Sequence, residues 1–294
     1  MALAAAGWDV HIVLRSRSSS TQLQALGDRI TVHRVGDDGT GLGEAMRLAA
    51  PDAVFHLAAM FVAEHRSSDL APLVQANLLF ATQLLEAMRS CGVRLLVNTG
   101  TAWQHFGNRD YDPVNLYAAT KQAFEAIATY YVNAHGFAVA TLVLFDTYGP
   151  DDTRPKLMRA LWDAASSGAE LDMTSGGQLL DLVYIDDVVD AFLAAERTLR
   201  DGGAVQRRYG ISSGQPLSLR QLVATFEDAV GVRLQVKWGA RPDRTRDVFV
   251  PWTGFDAPPG WRPRVALRDG LRRSMPPNLK RRKTPRLETR LPLR

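Results

Sequence analysis

The sequence predicts an α/β fold in which a doubly wound parallel sheet is joined to a smaller α/β domain. Three observations carry that prediction. Short runs rich in Val, Ile and Leu alternate with stretches of helical periodicity over the first 150 residues. Those runs read as parallel strands buried in a sheet covered on both faces. After Pro150 the regular alternation stops and shorter strands and helices take over.

Taken in order, MALAAA (1–6) reads as the last turns of a helix closed by Gly7. DVHIVL (9–14), RITVH (29–33), AVFHLA (53–58), RLLVNT (94–99) and VATLVLF (139–145) read as buried strands. Helices are expected around 20–26, 42–50, 70–90 and 115–134; the third has Leu70, Leu73, Val74, Asn77, Leu78, Ala81, Leu84, Leu85 and Met88 at helical spacing. Beyond Pro150 the pattern predicts helices at 154–167, from near Asp186, at 219–230 and from near Val265, with strands at 208–218 and 234–238. The expected division is 1–150 plus about 183–205 for the sheet domain and 151–182 plus 206–274 for the smaller one. Residues 275–294, with four prolines and no evident apolar face, read as a basic, disordered tail.

Composition narrows the function. With 294 residues, 46% of them hydrophobic and 22% charged, the chain is not of the disordered type. No uninterrupted apolar run approaches the ~18 residues of a membrane span. Cys91 is the only cysteine, which excludes an internal disulfide framework and fits a reducing, cytoplasmic setting. The net charge of +4 is misleading, because residues 271–294 carry nine bases against one acid and leave the rest at −4. Only that tail could argue for nucleic acid, so no nucleic-acid partner is expected. The six histidines show no zinc-type spacing, and no metal is expected.

The motif with the most chemistry is Tyr117-Ala-Ala-Thr-Lys121 within a helical pattern. Residues four apart share a helix face. A free phenol has a pKa near 10 and is a poor proton donor at neutral pH; a neighbouring ammonium stabilises the phenolate and lowers that value. A tyrosine tuned in this way can protonate a carbonyl oxygen as hydride arrives. LLVNTGTAW (95–103) places Thr99 and Thr101 at a strand end, where a hydroxyl can reach the same oxygen. Arg15, Asp37, Ala58, Thr101 and Phe145 each follow a different expected strand, and such strand ends border the ligand crevice of an open parallel sheet.

Together these segments resemble the extended short-chain dehydrogenase/reductase family, in its nucleotide-sugar epimerase, dehydratase and ketoreductase branch. The resemblance runs through PDAVFHLAA (51–59), Asn77, the Thr101/Tyr117/Lys121 set, LFDTYGPDD (144–152), LLDLVYIDDVVDAF (179–192), YGISSGQPLSLRQLV (209–223) and GWRPRVALRDGLRR (260–273). NTGTAWQHF, NLYAATKQAFE and LFDTYGP look most like the CDP-abequose and CDP-paratose synthase type of 4-ketoreductase. The resemblance implies a Rossmann-type domain with Thr101, Tyr117 and Lys121 as catalytic residues. Cofactor contacts are implied for Arg15, Ser16, Arg17, Asp37, Leu57, Ala58, Ala59, Asn77, Thr99, Leu144 and Thr147, with Asp38 an alternative to Asp37. Trp103, Asp146 and Arg241 would meet a nucleotide-sugar substrate. Asp146 stands where the family usually has asparagine, and Leu180 where many relatives have arginine.

An arginine and a serine after the second strand of such a fold suit a 2′-phosphate, so NADP(H) is expected over NAD(H). A dehydratase would carry an Asp-Glu pair after the threonine; Ala102 and Trp103 stand there instead. The expected reaction is reduction of the C4 ketone of an NDP-4-keto-6-deoxyhexose. Alternatives are a 4-epimerase with bound NAD, or a non-catalytic Rossmann-like protein. The first strand and glycine turn of this fold do not precede the Ala2 helix, so the sheet is expected to have a gap. We expect the native start to lie roughly 15 residues upstream. A homodimer through the helices near 70–90 and 115–134 is also implied.

Overall fold

The computed structural model describes residues 1–202 and 205–282. The chain forms two compact units. The first comprises Met1–Phe145, Val189–Ile211 and Trp252–Arg262; the second comprises Asp146–Val188, Ser212–Pro251 and the chain from Pro263 onward.

In chain order, the first 145 residues give α1 (Ala2–Ala5), β1 (Val10–Arg15), a 3-10 segment (Thr21–Arg29), β2 (Ile30–Val35), α2 (Leu42–Ala49) and β3 (Ala53–His56). Then follow α3 (Leu70–Val74), a π-helical turn (Gln75–Leu79), α4 (Phe80–Ser90), β4 (Leu95–Thr101), α5 (Leu116–His135) and β5 (Ala138–Leu144). The remainder gives β6 (Asp146–Tyr148), α6 (Leu157–Ser167), β7 (Leu171–Asp172), β8 (Leu179–Leu180), β9 (Leu182–Tyr184) and α7 (Ile185–Arg200). It closes with β10 (Val205–Ile211), β11 (Leu217–Ser218), α8 (Leu219–Val230), β12 (Val236–Lys237), α9 (Leu267–Ser274) and α10 (Pro277–Arg282).

All the ladders between named strands of the first unit are parallel, as the alternation of strands and helices predicts. They form two ladders rather than one sheet: β1–β2, and β3–β4–β5–β10 in that order. The expected gap therefore falls between β1 and β3, which share no hydrogen bonds among the described residues. β5 is the most enclosed strand, buried at Ala138–Val143. Helices α2, α4 and α5 cover one face, where Met46, Leu85, Met88, Leu96, Phe124 and Phe137 form the core.

Two expectations are corrected. Residues 206–211 belong to the first unit rather than the smaller domain, because β10 pairs along its whole length with β5, Val205 opposite Ala138 through Ile211 opposite Leu144. The same unit takes in Trp252–Arg262. There Trp252 stacks on His105 at 3.8 Å between ring centroids, and Phe255 lies over Gly210, where a Cβ would meet its ring at 2.2 Å. The expected tail also starts too early: α10 is helical, and Met275 and Leu279 are 6% and 2% exposed in the core of the second unit. Met275 caps the end of α9 in an extended conformation and Leu279 lies in α10, so no single periodic pattern joins them. The tail residues 283–294 lie outside the described residues.

The second unit has its own core of Tyr148, Leu161, Trp162, Leu222, Phe226 and Leu271. Its strands are two to three residues long and pair two by two: β6 with β9, β11 with β8 and β12 with β7.

Candidate active site

The site grows from the end of β4 and the start of α5. Asn115 caps α5 by accepting the Ala118 N–H at 2.9 Å, and its amide donates to the Ala63 carbonyl at 2.9 Å. Tyr117 and Lys121 therefore sit on the first turns of a fixed helix. The Lys121 ammonium lies 6.0 Å from the Tyr117 ring centroid. Phe61, in the loop after β3, meets the Tyr117 ring edge to face at 5.0 Å and lies 5.6 Å from the Trp103 ring.

At the end of β4 the two threonines divide. Thr99 donates its hydroxyl to the His56 carbonyl at 2.9 Å, tying β4 to β3. Thr101 accepts the Trp103 N–H on its hydroxyl oxygen at 3.3 Å, which leaves the hydroxyl proton to be donated. Trp103 lies in the single 3-10 turn that follows, Ala102–Gln104.

Lys121 is 3% exposed, and burial pulls its pKa down to about 8 against the opposing pull of the Glu125 carboxylate. His56, also buried, is held down to about 4, first by burial and then by the Lys121 charge. It is neutral at physiological pH and donates through Nδ1 to Asn98 Oδ1 at 3.2 Å, while Asn98 donates to Thr141 at 3.2 Å. Its Nε2 is buried without a partner.

The residues expected to hold a cofactor stand at the ends of β1, β2, β3 and β4. Arg15, Ser16 and Arg17 are exposed. Their turn is gathered by Arg34, whose guanidinium donates to the carbonyls of Arg15, Ser16 and Ser18 at 3.3, 3.0 and 3.0 Å. The structure separates the two aspartates: Asp38 accepts the Thr40 N–H at 2.9 Å and is spent on its own turn, whereas the Asp37 carboxylate stands 4.0 Å from Arg17. Leu57, Ala58 and Ala59 are exposed after β3, Leu57 by 62%. Leu144 ends β5.

Asn77 has a different place from the one expected. It lies in the π turn, 2% exposed, and both ends of its amide are spent on the protein. It accepts the Met60 N–H at 2.8 Å, and donates to the Met60 carbonyl at 3.0 Å and to Thr120 at 2.9 Å. Thr120 in turn donates to the Tyr117 carbonyl at 2.7 Å. Asn77 thus clamps the loop after β3 to the helix of Tyr117 instead of facing a ligand.

Asp146, Thr147 and Arg241 belong to the second unit. Burial pushes the Asp146 carboxyl up to about 6, with Lys156 opposing and Asp181 adding to the rise. Thr147 lines a pocket of about 200 Å³ with Tyr148, Gly149, Arg154 and Ile185. Arg241 is exposed, and its N–H donates to the Met173 carbonyl at 3.0 Å. Sequence reasoning missed Phe61, His56, Gln104 and Glu125. The only signal for Glu125 was its position one helical turn after Lys121. Nothing in the sequence marked Phe61.

A Rossmann-type fold with a threonine at the end of β4 and a tyrosine and a buried lysine on α5 is that of the extended short-chain dehydrogenase/reductase superfamily. The chain belongs to the NAD dependent epimerase/dehydratase family, which matches residues 1–211. It is 32% identical over 145 residues to a CDP-abequose synthase of Yersinia pseudotuberculosis, a match covering 49% of this chain and 50% of that one. To a UDP-glucose 4-epimerase of Mycolicibacterium smegmatis it is 28% identical over 248 residues, covering 76% and 75%. The structure of a UDP-glucose 4-epimerase from Stenotrophomonas maltophila, with NAD and formylated UDP-arabinopyranose bound, superposes with a TM-score of 0.80 at 25% identity, covering 93% of this chain and 91% of that one. These relatives are named as nucleotide-sugar enzymes, and the first of them is matched over only half its length. Among the described residues no helix is long and apolar enough to cross a membrane, and no group of three or more His, Cys, Asp or Glu could hold a metal ion.

The donor set fits a nicotinamide dinucleotide. Two exposed guanidinium groups and a hydroxyl follow β1, an exposed run of small and apolar residues follows β3, and α5 brings a phenol and a buried ammonium.

Proposed function

We propose that this chain is a nucleotide-sugar 4-ketoreductase that reduces the C4 ketone of an NDP-4-keto-6-deoxyhexose and prefers NADP(H) to NAD(H). The observation that carries the reading is the Thr101–Tyr117–Lys121 set with Ala102 and Trp103, not acids, after the threonine. Without a carboxylate there, the elimination step of a dehydratase has no proton acceptor or donor beside Thr101.

Arg15, Ser16 and Arg17 would hold the 2′-phosphate. Leu57, Ala58, Ala59, Thr99, Leu144 and Thr147 would line the remaining dinucleotide contacts, with Asp37 meeting the adenine and Lys121 the ribose hydroxyls. When bound, the reduced nicotinamide supplies hydride to C4. Tyr117 donates its phenolic proton to the C4 oxygen as that oxygen gains charge. Lys121 stabilises the phenolate left behind. The free hydroxyl proton of Thr101 donates to the same oxygen. Trp103, Asp146 and Arg241 are assigned to the sugar nucleotide.

A second reading, a 4-epimerase that keeps NAD bound, is favoured by the UDP-sugar 4-epimerases among the relatives. Purified protein given NADPH and a 4-keto-6-deoxy sugar nucleotide should consume NADPH and form the 4-hydroxy product. No consumption, together with NAD-dependent interconversion of 4-epimers, would replace the first reading by the second. A homodimer through α3, α4 and α5 belongs to the same proposal, supported by exposed Leu70, Val74, Leu79 and Tyr130. Sedimentation of a monomer at micromolar concentration would count against it.

A further inference from the structure

We propose that Gln104, braced by Glu125, is a positioning residue for the reaction: it fixes the Thr101 backbone against the helix that carries Tyr117 and Lys121. The inference rests on the oxidoreductase reading above.

Gln104 is fully buried and its amide is fully used. Its oxygen accepts the Thr101 N–H at 2.9 Å. Its nitrogen donates to Gln122 at 2.8 Å and to Glu125 at 2.7 Å, both on α5. The second oxygen of Glu125 accepts from Arg208 Nε at 3.1 Å, and the same guanidinium donates to Gln122 at 2.8 Å. Four side chains from the turn after β4, from α5 and from β10 thereby close a ring that holds the Thr101 amide.

Stability alone does not explain such a ring. Burying a carboxylate, here 6% exposed, with a guanidinium is often no better for stability than an apolar plug of the same volume. What the ring adds is geometry. An amide side chain can accept from Thr101 and donate to Glu125 at once; a carboxylate or a thioether at 104 cannot. The chain also leaves room for it: a Cβ on Gly100 would meet Gln104 Oε1 at 3.1 Å and the Thr141 methyl at 2.9 Å. Thr101 donates to the same oxygen that Tyr117 protonates, so their separation must be held. A misplacement of about 1 Å costs on the order of 100-fold in rate.

The test uses the full chain with Gln104→Met and, separately, Glu125→Gln. kcat and KM are measured for NADPH reduction of a 4-keto-6-deoxy sugar nucleotide, and amide hydrogen exchange is followed residue by residue. For Gln104→Met, kcat should fall by about 100-fold with KM within roughly twofold. Exchange at the Thr101 amide should quicken at least about tenfold while Leu96, Val97 and Asn98 keep their protection. Glu125→Gln should show the same signature, smaller. Pairing Gln104→Glu with Glu125→Gln restores an acceptor for Thr101 and a donor between the two side chains. It should recover the exchange protection and part of kcat.

Unchanged kcat in Gln104→Met would overturn the inference. So would a loss of kcat with Thr101 exchange unaltered, or faster exchange along the whole of β4, which would mean general loosening. Absence of turnover by the unmodified protein on both 4-keto and 4-hydroxy sugar nucleotides would bring down the functional reading itself, and the proposed role with it.

Discussion

The two ends of the first unit's candidate site are built by opposite means. Around Thr101, Tyr117 and Lys121 the neighbouring side-chain amides are tied: Asn115 caps, Asn77 clamps, and the Gln104 ring braces. Beneath them β5 is buried at six of its seven positions. Around Arg15, Arg17 and Asp37 the side chains are exposed, and the β1–β2 ladder shows half-exposed Val13 and Val32. There the order lies in the backbone, drawn in by Arg34, and the charges are left loose. The difference follows from the tasks. Proton transfer depends steeply on distance and angle, whereas attraction between mobile cations and a phosphate falls off slowly and tolerates several geometries.

The comparison can be broken most severely at Tyr117. Tyr117→Phe should lower kcat by about a thousandfold while cofactor affinity and unfolding midpoint stay near those of the parent. An equal loss in cofactor affinity, read by titration calorimetry, would show that the phenol binds rather than reacts. Next in size is the packing contrast. Leu142→Ala in β5 should cost about 2–5 kcal/mol in denaturant unfolding, and Val13→Ala in β1 less than about 1. Equal costs would mean that the two ladders share one core.

Lys121 offers a sharper version. Its buried ammonium has a pKa near 8 in the fold against the ordinary 10.5. Below about pH 8 the full cost of burying the charge is present. Between about 8 and 10.5 the unfolded chain holds a proton that the folded one has released, so stability rises with pH. Lys121→Met should therefore be more stable near neutrality by up to about 3 kcal/mol, an advantage that disappears as the pH approaches 10.5. The same variant should lose turnover, and in the parent turnover should decline as pH rises through about 8. A Lys121→Met protein less stable at neutral pH would show that the ammonium is well compensated in the fold. The smallest effect is expected at the loose end: Arg17→Asp should weaken NADPH binding by roughly tenfold and leave NADH within about twofold. Equal weakening of both would place Arg17 away from the 2′-phosphate.

What the sequence disclosed follows the range of the interactions. The helix of Tyr117 and Lys121 was legible because its periodicity and its chemistry lie within twenty residues. The five leading strands were legible because each carries a cluster of Val, Ile or Leu, although only β4 and β5 are buried along most of their length. The Gln104 ring was not, since its side-chain hydrogen bonds join residues 18 to 86 positions apart and close only once β10 has joined β5. Residues 206–211 were misassigned for the same reason: nothing local says which strand will accept them. Met275 and Leu279 were overlooked because prolines and arginines dominate the composition around them.

The π turn at Gln75–Leu79 gives the chain a sensitivity to length that no single side chain has. It holds one residue more than an α-helical path would between α3 and α4. Each residue advances a helix by about 100°, so deleting one residue here could restore a continuous α-helix yet swing Asn77 away from Met60 and Thr120. Substitutions within this turn can keep the clamp. An insertion or deletion, even of alanine, would uncouple the loop after β3 from the catalytic helix.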